Sequence, residues 1–162
     1  MTLPNRRALN LAGFILCAGM LGYALYAEHV LFYIPCPLCI LQRIAVILLG
    51  TVFLAAALHD AAGRGRYVYA ALLLLPGLFG TGVAGWHVWK QQQPPDPFAS
   101  CGAGLDYMLD TLPFRRVVEL VFTGPGDCAS VDWQLLGLSM PAWVLIGIAG
   151  LTAAGVWNNL RS

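Results

Sequence analysis

The chain has 162 residues, of which 59% are hydrophobic and only 10% charged, and its mean hydropathy is +0.70. A water-soluble domain of this size is far less apolar, so the sequence reads as an integral membrane protein. The formal net charge of +1 gives no support to nucleic-acid binding, and no internal repeat, phosphate-binding glycine loop or hydrolase triad is visible.

Four apolar runs cover residues about 8–28, 37–58, 67–89 and 141–160. Each reaches or approaches the ~20 residues that a helix needs to cross a bilayer. The expected fold is therefore an all-α membrane protein: one integral domain over 1–162, a four-transmembrane-helix bundle. A long loop at about 90–140 would carry a short amphipathic helix, with shorter loops at about 29–36 and 59–66.

The first run follows Arg6 and Arg7. A basic front and an apolar body also describe a signal peptide. This run exceeds the usual ~7–15-residue apolar core, and three more follow, so it reads as a retained span. Gly13, Gly19 and Gly22, with Ala12 and Ala18, give small surfaces for close helix packing. Cys17, in mid-span, is expected to be an inert core thiol. Glu28 and His29 come next, read as a polar pair where the headgroups begin, and then the aromatic stretch Val30 to Ile34.

The chemistry concentrates in Pro35-Cys36-Pro37-Leu38-Cys39-Ile40-Leu41-Gln42-Arg43. Pro37 suits the first turn of a helix, where a missing N–H costs nothing. Cys36 and Cys39 then lie at a helix N-terminus, whose partial positive charge favours a thiolate. Arg43, four residues after Cys39, falls on the same face and adds a full charge. It sits about one and a half turns into the helix, where a cation is costly unless it snorkels or pairs. Redox traffic is the favoured reading of the pair; a static disulfide or half of a metal site is the alternative.

Arg64 and Arg66 precede the third run. Pro76 should kink it, and Gly77, Thr81 and Gly85 form a small-residue stripe. The run ends in Trp86-His87-Val88-Trp89, an aromatic belt in which His87 is either a satisfied interfacial histidine or a hydrogen-bond donor to a carbonyl.

Gln91 to Cys101 contains Pro94, Pro95 and Pro97, which keep it extended without its own hydrogen-bond ladder. An extended segment ending in a thiol suits docking into another protein's groove. Phe114, Val117, Val118 and Val121 then make one face of a short helix, expected to lie flat on the membrane. Thr123 to Asp127 is a turn presenting Cys128, and Ser139-Met140-Pro141 is expected to cap the fourth helix.

Arg6, Arg7, Arg64, Arg66 and Arg161 place both termini and the 59–66 loop in the cytoplasm by the positive-inside tendency. The long loop is net acidic and faces outward. Cys36, Cys39, Cys101 and Cys128 then share the outer side, as expected in an oxidising compartment. Cys101 and Cys128 are separated by 26 residues and form no second C-x-x-C, and no histidine outside the spans joins the thiols, so no metal is expected.

With these residues assembled, the chain resembles the disulfide bond formation protein B (DsbB) family of bacterial inner-membrane quinone-dependent thiol oxidases. The likeness runs from His29-Val30 through Cys36 to Cys39, Gln42-Arg43, Pro97-Phe98-Ala99-Ser100-Cys101 and Gly126-Asp127-Cys128-Ala129 to Leu136 through Trp143. It implies that Cys101 forms a mixed disulfide with a periplasmic thioredoxin-like DsbA-type oxidase, with Pro97, Phe98, Ala99 and Ser100 along that partner's groove. Cys128 would be the disulfide partner of Cys101 in the resting enzyme. Electrons would pass to Cys36 and Cys39 and on to a membrane quinone, ubiquinone or menaquinone. Cys39 would face the quinone, Arg43 would support it electrostatically, and His87 would contact a ring oxygen. That the periplasm is kept oxidising by this kind of system is general knowledge of redox poise. Rival readings are a vitamin K epoxide reductase-like enzyme, in which the C-x-x-C lies near the final helices, and a non-catalytic, disulfide-stapled membrane binding protein.

Overall fold

The computed structural model describes residues 5–33, 35–60, 63–93, 110–113, 115–117, 119 and 133–161. Four long helices dominate: α1 (Arg6–His29), α2 (Pro37–His59), α3 (Gly65–Gln91) and α4 (Met140–Leu160). At ~1.5 Å per residue, lengths of 24, 23, 27 and 21 residues give helices of roughly 31 to 40 Å, enough to cross a hydrocarbon layer of ~30 Å. All four are apolar enough to do so, and large apolar side chains such as Ile15, Leu48, Leu75 and Ile146 point outward, as lipid-facing surface requires.

Each helix packs against the next in sequence, and α4 returns to close against α1 more sparsely than it packs on α3. The core centres on Phe53, Leu49, Leu73 and Ile148, joined by Cys17 and Val46. Backbones approach where side chains are small. A Cβ at Gly13 would lie 2.8 Å from the Phe53 ring, and one at Gly77 would lie 2.2 Å from Thr152 Oγ1. Nothing comes within 4 Å of a Cβ at Gly19, Gly22 or Gly85, so of the glycines in the expected small-residue stripes Gly13 and Gly77 are the points of close approach. α3 runs through Pro76 without ending.

At the end of the bundle away from Cys36, α1 and α4 are joined by buried amides. Asn10 and Asn159 donate to each other at 3.3 and 3.0 Å, and Asn158 Nδ2 donates to Asn10 Oδ1 at 3.2 Å and to the Arg6 carbonyl at 3.1 Å. Nothing in the apolar-run reading pointed to this clasp. At the other end, β1 (Gln134–Leu135) and β2 (Leu138–Ser139) form a two-residue hairpin. Its turn residues Leu136 and Gly137 have φ of 54° and 79°, the two positive values that a type I′ turn needs.

Two expectations need correction here. Ser139 occupies the N-cap position of α4, but its hydroxyl makes no capping bond; it donates to Gln91 Oε1 of α3 at 2.6 Å. The turn chemistry of the hairpin sets the start of α4 instead, followed by Pro141 in its first turn. The segment read as a membrane-surface helix is helical at 115–117, but Val117 is buried against Cys36, Leu38 and Val83. That side chain covers the end of the bundle rather than lipid. Phe114, Val118, Val121 and the 123–127 turn lie outside the described residues.

Candidate functional site: a dithiol cavity at the head of α2

The site begins with how α2 starts. Cys36 is its N-cap in an extended conformation, Pro37 fills the first helical turn, and the Cys36 sulfur accepts the Cys39 N–H at 3.4 Å. A sulfur thus does the work usually given to a serine or aspartate oxygen. The same geometry turns the second thiol back on the first. The Cys36 thiol donates to Cys39 Sγ with the sulfurs 3.0 Å apart. A disulfide of ~2.0 Å needs each sulfur to move by only about half an ångström. Cys36 is buried and Cys39 half-buried.

Two further side chains complete one wall. His87, on α3, is 2% exposed. Its Nε2 lies 3.8 Å from Cys36 Sγ, and its Nδ1 lies 3.0 Å from Gln42 Nε2. With the Gln42 amide donating to Nδ1, the neutral ring carries its proton on Nε2, directed at the Cys36 sulfur. Both ring nitrogens are thereby engaged by the protein. Gln42 is also buried and lies one helical turn from Cys39, on the same face.

The opposite wall is built from α1. Arg43 is ion-paired to Glu28 through one guanidinium nitrogen, and its other terminal nitrogen donates to the Ala24 carbonyl at 3.3 Å. Its side chain is 21% exposed, so the cation is held at the rim by a carboxylate rather than snorkelling free. A guanidinium has five N–H groups, which leaves donors for a further acceptor. Glu28, read from sequence as a headgroup-level polar residue, is thus part of the site.

These residues line a cavity of about 130 Å³. Its floor is apolar, formed by Met20, Ala24, Val46 and Val144, while Glu28, Cys36, Cys39, Gln42, Arg43 and His87 supply the polar groups. Trp133 also lines it, its ring tilted against that of Tyr23 with centroids 6.0 Å apart. A flat, mostly apolar molecule with acceptor oxygens at its edge suits such a lining.

The structure therefore brings together Cys36, Cys39, Arg43 and His87 of the residues expected from sequence. Cys101, Cys128 and the segment Pro97, Phe98, Ala99 and Ser100 lie outside the described residues. Sequence reasoning missed Glu28 and the roles of Gln42 and Trp133. Gln42 carried a signal, a lone polar residue inside an apolar run on the cysteine face. Glu28 and Arg43, 15 residues apart on two helices, carried none. His87, expected from sequence to be either a satisfied interfacial histidine or a donor to a carbonyl, is placed by helix packing beside Cys36.

The family model described as disulfide bond formation protein DsbB matches residues 6–158. The disulfide bond formation protein B of Methylococcus capsulatus is 47% identical over 99% of this chain and 100% of its own length. That of Nitrosococcus oceani is 48% identical over 93% of this chain and 89% of its own, and that of Saccharophagus degradans 45% identical over 98% and 96%.

Proposed function

This chain belongs to the DsbB family of disulfide bond formation proteins, and on that premise we propose that it is a membrane thiol oxidase feeding electrons to a quinone. It reoxidises a periplasmic DsbA-type dithiol protein and passes the electrons through Cys101 and Cys128, then Cys36 and Cys39, to ubiquinone or menaquinone. The reading places the chain in the bacterial inner membrane with both termini cytoplasmic and the cysteine end periplasmic. The observation that carries it is the pair of sulfurs 3.0 Å apart on an apolar-floored cavity that Arg43 also lines.

Each exchange moves two electrons. The partner's two thiols become a disulfide as Cys101–Cys128 opens to two thiols. Those close again as a Cys36–Cys39 disulfide opens. Two electrons and two thiol protons leave as Cys36–Cys39 re-forms, and a quinone, when bound, would accept them. Thiol–disulfide exchange needs an accessible sulfur at one end and a thiolate attacker at the other. On this reading Cys101 is the accessible sulfur, and Pro97, Phe98, Ala99 and Ser100 are the residues that would contact the partner. At α2, Cys39 faces the cavity and closes the disulfide. Arg43, held in place by Glu28 and the Ala24 carbonyl, would offer its spare N–H groups to a quinone oxygen. His87 holds Cys36 through Nε2, with its tautomer set by Gln42, and would have to release that sulfur to donate from Nε2 to a quinone oxygen.

The partner step has a direct test. A DsbA-type protein retaining only its attacking cysteine is mixed with the Cys128→Ser variant, whose Cys101 then lacks its proposed partner. A disulfide-linked adduct on a non-reducing gel, absent when Cys101→Ser replaces it, is expected. An adduct of equal yield without Cys101 would contradict the assignment.

A further inference from the structure

We propose that the reduced form of this cavity is also a binding site for a thiophilic divalent ion of the zinc class, ligated by Cys36, Cys39 and His87, and that the bound ion blocks disulfide closure. The ligand atoms of these three residues lie within 4.8 Å of one another. Tetrahedral zinc, with Zn–S of ~2.3 Å and Zn–N of ~2.0–2.1 Å, places two sulfurs about 3.8 Å apart and sulfur and nitrogen about 3.6 Å apart. The 3.8 Å between Cys36 Sγ and His87 Nε2 already meets the second figure. The sulfurs, at 3.0 Å, must part by somewhat less than an ångström. Three protein ligands would leave a fourth position for water, the pattern of an open rather than a closed structural zinc site.

Gln42 makes the site adaptable. An imidazole that ligates through Nε2 must carry its proton on Nδ1 and donate it to an acceptor, and such outer partners orient the ring. The Gln42 amide, 3.0 Å from Nδ1, presents a donor in one orientation and, turned half a revolution, an acceptor oxygen in the other. One buried residue therefore satisfies His87 both with a thiol and with a metal. Burial of Cys36 and His87 also limits competition from water.

The chemistry is ligand exchange without electron transfer. Two thiols release two protons to solvent as two metal–sulfur bonds form. A closed disulfide has no thiolate to offer, so only the reduced state binds. An ion held between the sulfurs keeps them apart and stops turnover until it is removed. The inference shares its residues with the oxidase reading but needs only the open dithiol, so each stands or falls separately.

The test uses the full-length chain in lipid nanodiscs, carrying Cys101→Ser and Cys128→Ser to remove competing thiols, reduced and freed of reductant without oxygen. Cadmium is titrated and followed by its thiolate charge-transfer absorbance, and zinc is then used to displace it. One ion per chain is expected, with no binding after the Cys36–Cys39 pair is oxidised. Gln42→Leu should weaken binding by about 10–100-fold, as loss of a ligand's outer partner does, and His87→Asn and Cys36→Ala, which each remove a ligand, should weaken it more. Gln42→Leu serves as the arbiter if His87→Asn lowers the helical content. Equal binding by the oxidised form, or affinity unchanged in the folded His87 and Gln42 variants, would overturn the proposal.

Discussion

Arg43 and Glu28 illustrate how much of the site rests on single side chains in an apolar setting. A guanidinium partway into a span needs a partner, and here the partner is a carboxylate reaching from α1, with the Ala24 carbonyl as a second acceptor. Removing Glu28 leaves the cation in the cavity but without its anchor. Arg43→Gln should raise the KM for quinone, and Glu28→Gln should raise it less. If both act through one guanidinium position, their effects should be non-additive by about 0.5–3 kcal/mol, the range for groups in direct contact. Steady-state quinone reduction across a quinone concentration series in the two single variants and the double variant measures this. Additive effects would remove Glu28 from the site. The Arg43 half of this pair was legible in sequence because it lies on the same helix face as Cys39. The Glu28 half was not, because contact between helices follows from packing that local periodicity does not encode.

Among elements, the four helices were legible because their signal is long and strong: runs of about twenty apolar residues, bounded by arginines or by Pro37 and Pro141. The observed ends differ from the expected ones by at most about two residues. What failed were features set by turn geometry and by polar contacts between helices. The hairpin at Gln134–Ser139 lacks the Asn-Gly signal of its turn type. Leu136 instead occupies a left-handed conformation, at φ 54°, that costs a branched residue about 1–2 kcal/mol. The asparagine clasp also escaped, since Asn10 looks like one polar residue near a helix end until α4 places Asn158 and Asn159 against it. Because Asn10 Oδ1 accepts from both, Asn10→Ala leaves each buried amide one bond short, with only the Arg6 and Gly155 carbonyls still accepting from them. It should cost about 1–3 kcal/mol, read as a lower thermal unfolding midpoint in detergent. The clasp lies about 27 Å along α1 from Glu28, at ~1.5 Å per residue, so turnover well below that midpoint should be unchanged. Loss of activity without loss of stability would show that the clasp couples to the cavity.

For the whole molecule, the order of events along the chain follows from where packing is tight and where it is open. The middle of the bundle is a close-packed apolar core around Phe53. The dithiol sits at one end, in a cavity lined by all four helices and by Trp133, with Val117 packed against Cys36. A lipid-soluble oxidant entering sideways and a soluble dithiol protein arriving from the aqueous side would meet at the same end. Composition and the four helices establish a multi-pass membrane protein, and family membership establishes disulfide bond formation. The link between them, electron flow from protein thiols to a quinone, is the central claim. It is tested most directly without oxygen, by mixing the purified protein with a reduced DsbA-type protein and a ubiquinone analogue and following quinone absorbance against free thiols. The account predicts one quinone reduced for every two thiols lost, with both changes abolished in Cys36→Ser and in Cys101→Ser. Thiol loss without quinone reduction, across ubiquinone and menaquinone analogues and with the fold intact, would contradict it.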